Sequence, residues 1–382
     1  VKKILILTAS YGEGHNSAAR GVRDGLARIA PHIDVDLRDL FAETYGAFND
    51  VIRKGYLGLI NRWPRSWGSV YRWLDRKQNF DKDMFWFAPL KNRLARLLVR
   101  FDPDAIVSVF PAYPYLLNQI LGPTPRSKNV VVVTDSITVN AIWYRCRADY
   151  LLVPNEQSAV VVRAAGIAPE RIKTFGFPVN PVFADLAQDR QWSRQEPSDM
   201  DGKPERVTSR EASHQSPSTQ SRRVLYMINA STLSAPETVR QLLALDLQLT
   251  VTVGRDEKLG RAIAAIAGDK IDIVGWTDQL PRLLSESHLL IGKAGGATVQ
   301  ETIAARCPMI INHIVSGQEE GNARLIVETN SGAIARSPAE VVAAVQRAFA
   351  DEAKQWREWE ANISRLSRPR AALDIAEFLL SI

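Results

Sequence analysis

Two stretches of the 382-residue chain combine side chains and glycines at spacings that suit ligand chemistry: Lys293-Ala-Gly-Gly-Ala-Thr-Val-Gln-Glu301 and Ser316-Gly-Gln-Glu-Glu-Gly-Asn322. The apolar run Leu289-Leu-Ile-Gly292 in front of the first predicts a strand that ends in a strand-to-helix turn. In such a turn Gly295 and Gly296 let backbone N–H groups approach a diphosphate at the positive end of the helix that follows, without any basic side chain. Glu301 falls one helical turn further on, where its carboxylate can accept hydrogen bonds from ribose hydroxyls. Gln318, Glu319 and Asn322 supply the amide and carboxylate groups that grip sugar hydroxyls. A glycine cap or a polar surface turn explains either segment singly, whereas the pair together reads as a sugar-nucleotide site.

A second candidate chemistry lies near the start. Ile4 to Leu7 predicts a strand, and Ala18, Val22, Leu26 and Ile29 fall at helical spacing, so Ser10-Tyr-Gly-Glu-Gly-His15 is the turn between them. His15 is thereby expected at the carboxyl end of a strand, where α/β folds bind ligands. An imidazole there, with a pKa near the ordinary value, is mostly unprotonated at neutral pH. Gly12-Glu-Gly14 has half of a dinucleotide fingerprint, but Ser17 replaces the third glycine and Glu13 and His15 crowd the turn, which argues against a nicotinamide dehydrogenase.

The elements that must position these residues alternate in the manner of α/β domains with parallel sheets. Ala105 to Phe110, Val130 to Thr134 and Tyr150 to Val153 continue the first domain. Val224 to Ile228, Leu249 to Val253, Ile271 to Val274, Leu289 to Ile291 and Met309 to Ile311 build a second. Between them, Leu186 to Arg223 is rich in Gln, Ser, Arg, Glu and Pro, with too few aliphatic residues to offset chain entropy. The expected division is 1–185, a linker or insertion 186–223, 224–355, and C-terminal helices 356–382 that carry Trp356, Trp359, Ile363 and Leu366.

Composition excludes several classes. A 46% share of hydrophobic residues fits folded domains with real cores, and no apolar run approaches the length of a membrane span, so a cytoplasmic protein is expected. Cys146 and Cys307 are read as packing residues rather than a disulfide. His15, His32, His214, His288 and His313 lack the paired spacing of zinc ligands, so neither a metal nor another cofactor is expected. Charge is uneven: residues 51–100 hold twelve Lys and Arg against three Asp. The same stretch interleaves Tyr56, Trp63, Trp67, Trp73 and Trp86 with cations such as Arg65 and Arg72. Single-stranded nucleic acid, an anionic membrane and an aromatic core all use that mixture. Tyr56-Leu-Gly-Leu-Ile-Asn-Arg-Trp-Pro64 has the apolar run and the Trp-Pro stop of an interfacial helix, which favours the membrane over nucleic acid.

Thr8-Ala-Ser-Tyr-Gly-Glu-Gly-His-Asn16 resembles the amino-terminal signature of the bacterial diacylglycerol glucosyltransferase and monogalactosyldiacylglycerol synthase family. Similar to that family as well are Tyr56 to Pro64, Phe101-Asp-Pro-Asp-Ala-Ile-Val-Ser108, Thr134-Asp-Ser136 with Trp143, Gly176-Phe-Pro-Val179, Gly275-Trp-Thr-Asp278 and the two segments described first. The resemblance implies a GT-B fold of two Rossmann-like domains, an acceptor site in the first and a UDP-hexose site in the second, with the last helix crossing back to the first domain. It implies transfer of glucose or galactose to diacylglycerol at the membrane. His15 is then the acceptor-activating base and Asp135 the reserve base or its orienting group. Gly14, Gly295, Gly296, Thr298 and Glu301 belong to the donor site, Gln318, Glu319 and Asn322 face the sugar, and the backbone at Trp276 reads uracil. The segment containing Tyr56, Trp63, Arg65, Trp67 and Arg72 corresponds to the membrane-associating region. Met227-Ile-Asn-Ala-Ser-Thr232 departs from the glycine-rich turn of many relatives, and Ser10 leans slightly towards the glucosyl branch. An epimerase, a peptidoglycan-type lipid-linked N-acetylglucosaminyltransferase and a silent UDP-sugar-binding protein remain alternatives, and the oligomeric state stays open.

Overall fold

A computed structural model describes residues 1–46, 87–122, 125–137, 139–195, 222–228, 234–315 and 319–382. The first sheet contains β1 (Lys3–Thr8), β2 (Asp34–Asp39), β3 (Ala105–Ser108), β4 (Lys128–Val132), β5 (Tyr150–Val153) and β6 (Ile172–Thr174), in the order β2-β1-β3-β4-β5-β6. The second contains β7 (Arg223–Met227), β8 (Gln248–Gly254), β9 (Asp272–Gly275), β10 (Leu289–Lys293), β11 (Met309–His313) and β12 (Gly332–Ile334), in the order β12-β11-β10-β7-β8-β9. Every pairing is parallel. Each sheet reverses its winding once, between β1 and β3 in the first and between β7 and β10 in the second, and such switch points open a crevice beyond the strand ends. Two Rossmann-like domains facing across a cleft constitute a GT-B fold.

The alternation of side chains along β1 explains why it sits centrally. Ile4 and Ile6 enter one apolar layer while Leu5 and Leu7 enter the layer on the opposite face, all four fully buried. The first layer is shared by both domains. It joins α1 (Glu13–Ile29) to the helix α2 (Gly296–Ala304) that follows β10 and to the final helix α3 (Ala371–Ser381), through Ala18, Val22 and Leu26, Val299 and Ile303, and Ile375 and Leu379. Gly25 of α1 admits α3 at close range: a Cβ there would stand 2.4 Å from the Ala372 carbonyl oxygen.

Two features differ from the sequence expectation. The stretch expected to be linker from Leu186 begins as helix, because Val182–Gln195 is one continuous element anchored by buried Phe183 and by Asp185, whose carboxylate pairs with Arg28 of α1 at 2.5 Å. Arg223, at the other limit of that stretch, already belongs to β7. The expected boundary at 355 lies inside the long helix Pro338–Leu366, just after a break where Asp351, Glu352 and Ala353 have positive φ. Trp356 and Trp359 then pack into the second domain's core, Trp356 donating its indole N–H to the His288 carbonyl at 2.6 Å. No helix among the described residues is long and apolar enough to cross a membrane.

Candidate active site in the cleft

The turn leading into α1 is held by its own polar side chains. Thr8 donates its hydroxyl to Asn16 Oδ1 at 3.0 Å, Asn16 Nδ2 donates to Ser10 Oγ at 3.1 Å, and the Ser10 N–H donates to Asp39 at 2.9 Å. Ser10 is thus occupied in bracing the turn, which accounts for its presence without reference to any sugar. Tyr113 fixes the end of β1 by donating to the Thr8 carbonyl at 2.7 Å. No side chain caps the first turn of α1, which leaves the positive end of that helix uncapped.

His15 sits in that first turn, directly over the switch point. Its Nδ1 lies 2.8 Å from the carbonyl oxygen of Val109, just beyond β3, and 3.1 Å from Thr134 Oγ1, just beyond β4. A carbonyl can only accept, so Nδ1 carries the proton and Nε2 keeps its lone pair. Phe110 stands edge-on to the ring at 5.2 Å and Trp143 packs at 5.9 Å. These apolar neighbours withdraw water from the imidazole. Burial lowers its pKa to about 4, an effect the Val109 hydrogen bond only partly offsets. The near-neutral pKa expected from the sequence is therefore corrected: the ring is fixed in its neutral form well below pH 7. Asp135 follows Thr134 and is half-buried, while the groups that orient His15 Nδ1 are the Val109 carbonyl and Thr134.

In the second domain, β10 delivers the chain to Gly295, the uncapped start of α2. Neither glycine of the pair is required by the fold itself. Gly295 has φ −66°, and a Cβ added there or at Gly296 would find nothing closer than 3.5 Å and 3.7 Å respectively. Both positions lie at the start of a helix, the kind of place where an anion docks. The head of α1 is adjacent, since a Cβ on Gly14 would come 4.0 Å from the Ala297 nitrogen. Thr134 links the halves: its hydroxyl meets His15, and its carbonyl oxygen lies 3.8 Å from the Cβ position of Gly296. Two positive helix ends and a neutral imidazole thus converge on one crevice.

Glu301 lies on α2 facing α1, with Oε1 3.4 Å from Ser17 Oγ, and burial raises its pKa to about 7. Thr298 occupies the first turn of α2, its side chain beside Gly295. Glu319 and Asn322, expected to face a sugar, are buried and already engaged. Glu319 pairs with Lys293 at 2.8 Å and accepts the Val315 N–H at 2.8 Å, and Asn322 donates to the Ala294 carbonyl at 3.1 Å. Both therefore brace the glycine turn from behind. Trp276, beyond β9, exposes 67% of its surface, with the Arg255 guanidinium 5.5 Å from its ring. Gln318, Tyr56, Trp63, Arg65, Trp67, Arg72, Ser231 and Thr232 lie outside the described residues. Val109 and Ser17 enter the site without a sequence signal: a backbone carbonyl leaves no trace in sequence, and Ser17 matters only because the domains meet there.

Residues 15–179 match the family model for monogalactosyldiacylglycerol (MGDG) synthase, and residues 224–367 match that for the glycosyltransferase family 28 C-terminal domain. The chain is 26% identical to a probable monogalactosyldiacylglycerol synthase 2, chloroplastic, of Oryza sativa subsp. japonica, over 98% of this chain and 80% of that protein. Among solved structures, Os79 from O. sativa in complex with UDP superposes with a TM-score of 0.63 at 12% identity, covering 99% of each chain. UDP-GlcNAc 2-epimerase from Neisseria meningitidis bound to UDP-GlcNAc gives 0.55 at 12% identity, covering 100% of each. Those two likenesses are of fold alone.

Proposed function

From a chain that belongs to the monogalactosyldiacylglycerol synthase family within glycosyltransferase family 28, we propose an inverting transfer of a hexose from a UDP-sugar to the free hydroxyl of diacylglycerol. The enzyme is a UDP-sugar-dependent hexosyltransferase, and the relatives favour galactose as the donor sugar to be tried first. One observation supports the reading of the site: the Thr134 hydroxyl meets the imidazole of His15 and its carbonyl oxygen lies 3.8 Å from the Cβ position of Gly296, so a proton acceptor and a helix N-terminus flank one residue.

The chemistry follows from that placement. His15 Nε2 takes the proton of the lipid hydroxyl as its oxygen attacks the anomeric carbon and the bond to the UDP oxygen breaks. A single displacement inverts that carbon. Water exclusion keeps the imidazole neutral and ready, and the negative charge of the diphosphate beside it favours the imidazolium once the proton moves. The uncapped ends of α2 and α1 stabilise the departing diphosphate in a way that requires no bound cation. Glu301 receives the ribose hydroxyls, whose hydrogen bonds favour its carboxylate and draw its pKa back down. Uracil is read at the backbone of Trp276. The aromatic and basic segment with Tyr56, Trp63, Arg65, Trp67 and Arg72 meets the anionic lipid surface that holds the acceptor, at the cytoplasmic face of the membrane.

The test is transfer by purified protein from UDP-galactose, UDP-glucose and UDP-N-acetylglucosamine to diacylglycerol in anionic liposomes, with products weighed by mass spectrometry. A hexosyl-diacylglycerol is expected. Tight UDP binding with no glycolipid from any donor would overturn the reading, and conversion of UDP-N-acetylglucosamine without acceptor would favour the epimerase. His15→Ala is expected to lower kcat by about 10³-fold while UDP affinity stays within threefold; near-normal turnover would remove His15 from the role of base.

A further inference from the structure

Gln300 is buried in the middle of α2, only 6% exposed, and reaches across the cleft to the other domain. Its Nε2 donates to Ser136 Oγ at 2.8 Å, and Ser136 is itself 3% exposed. A buried amide at a domain contact is costly unless paired, and an apolar side chain of similar volume would fill the space without that demand. The partner it has chosen lies two residues beyond Thr134, in the segment that follows β4.

That segment is under backbone strain. Ile137 has φ 59°, the left-handed region that β-branched residues avoid at a cost of about 1–3 kcal/mol. Such a conformation persists only when its surroundings hold it. From the first domain the hold is Ser158, whose hydroxyl accepts the Ile137 N–H at 3.2 Å. From the second it is Gln300. Between these anchors and β4, Thr134 presents its hydroxyl to His15 and its carbonyl to Gly296.

We propose that Gln300 is a positioning residue: by donating to Ser136 it clamps the segment after β4 against the donor helix and, through Thr134, sets the imidazole of His15 for proton transfer. The two half-sites are thereby aligned by contact between the domains, and the base is fully oriented only when α2 is seated. The proposal rests on the reading of His15 as base, so its test has one arm that needs no turnover.

Gln300→Met keeps the volume and removes the donor, Ser136→Ala removes the acceptor, and the double variant combines them. In the first arm, the ¹⁵N-imidazole spectrum of the five histidines is recorded on ligand-free protein, with His15→Ala identifying the His15 signal. Both single variants are expected to shift or broaden the His15 resonances in the same sense and to leave those of His288 in place. In the second arm, each single variant is expected to lose about tenfold in kcat, with the UDP-sugar KM and the UDP Kd within twofold. The double variant should lose no more than either alone. An unchanged His15 spectrum in folded Gln300→Met, losses that multiply in the double variant, or a loss that appears in UDP affinity would each overturn the proposal. If Gln300→Met fails to fold, Ser136→Ala decides both arms. If the wild-type protein moves no hexose to diacylglycerol, the functional reading fails and the spectrum alone decides the inference about Gln300.

Discussion

Gly21 and Gly25 on α1 and Gly295 and Gly296 at the head of α2 are the same residue type put to opposite uses. A Cβ on Gly21 would lie 1.8 Å from the Pro178 carbonyl oxygen, and one on Gly25 would collide with the backbone of α3. Those glycines exist so that backbone can touch backbone. The pair in the cleft meets only ordinary van der Waals distances from protein atoms, and the pair's backbone asks for no left-handed conformation. What a side chain there would obstruct is the approach of something else. At a helix start facing the other domain, a glycine that the fold does not need leaves room for a ligand, whereas one that the fold needs says nothing about it.

Substitution should separate the two kinds. Gly21→Ala, the largest effect expected, forces apart α1 and the Pro178 backbone and should cost about 3 kcal/mol or more, read as a lowered thermal midpoint or loss of soluble protein. Unchanged stability would mean that the close approach is not a feature of the folded chain. Gly296→Ala should do the reverse. Alanine at the first position of a helix stabilises by about 0.4–1 kcal/mol, yet UDP affinity by calorimetry should fall about tenfold. A variant that binds UDP normally would show that the space before α2 is not the diphosphate site.

A pH comparison sharpens the same contrast between fold and ligand. The Glu301 carboxyl has its folded pKa raised to about 7, so the folded chain holds that proton more tightly than the unfolded one. Its contribution to stability therefore falls as pH rises from about 4.5 towards 7 and is level above. His15 and His288, both lowered to about 4, act in the opposite direction below about 6.5, so the informative quantity is the difference between wild type and Glu301→Gln. The variant should gain about 2 kcal/mol relative to wild type between pH 5 and pH 8 by chemical denaturation. Parallel curves would refute the buried carboxyl. Trp276→Ala should have the smallest effect, at most about threefold on UDP affinity and none on stability, because its indole is exposed and the backbone makes the proposed contact. A loss beyond tenfold would show that the ring itself holds the nucleotide.

Much of the scaffold was legible because short apolar runs ending in glycine or polar turns are how buried parallel strands are written. Ile4 to Leu7, Val130 to Thr134 and Leu289 to Ile291 each appear as strands within a residue or two. The positions of His15 and of Gly295 and Gly296 follow from those strands, since a side chain after a strand end lies at the crevice. Side-chain direction did not follow. Glu319 and Asn322 looked like sugar ligands by type, but Glu319 pairs with Lys293 and accepts from Val315, and Asn322 donates its amide to Ala294, contacts that only the packing of the glycine turn reveals. The acidity of His15 was equally hidden, because Phe110 and Trp143, which dry the ring, come from segments about a hundred residues away in sequence.

The packing of α3 on α1 bears on how the molecule is made. The helix that carries His15 finds its apolar cover in residues 371–381. During synthesis the first sheet emerges early, but α1 keeps part of its hydrophobic face uncovered until the whole second domain has left the ribosome. A half-made chain therefore carries a sticky surface on the helix that bears His15 until residues 371–381 arrive. A chain that stops short of Ala371 keeps the Val109 and Thr134 partners of His15 and still leaves that surface bare, so the chemistry of the first half-site is laid down before the cover that protects it.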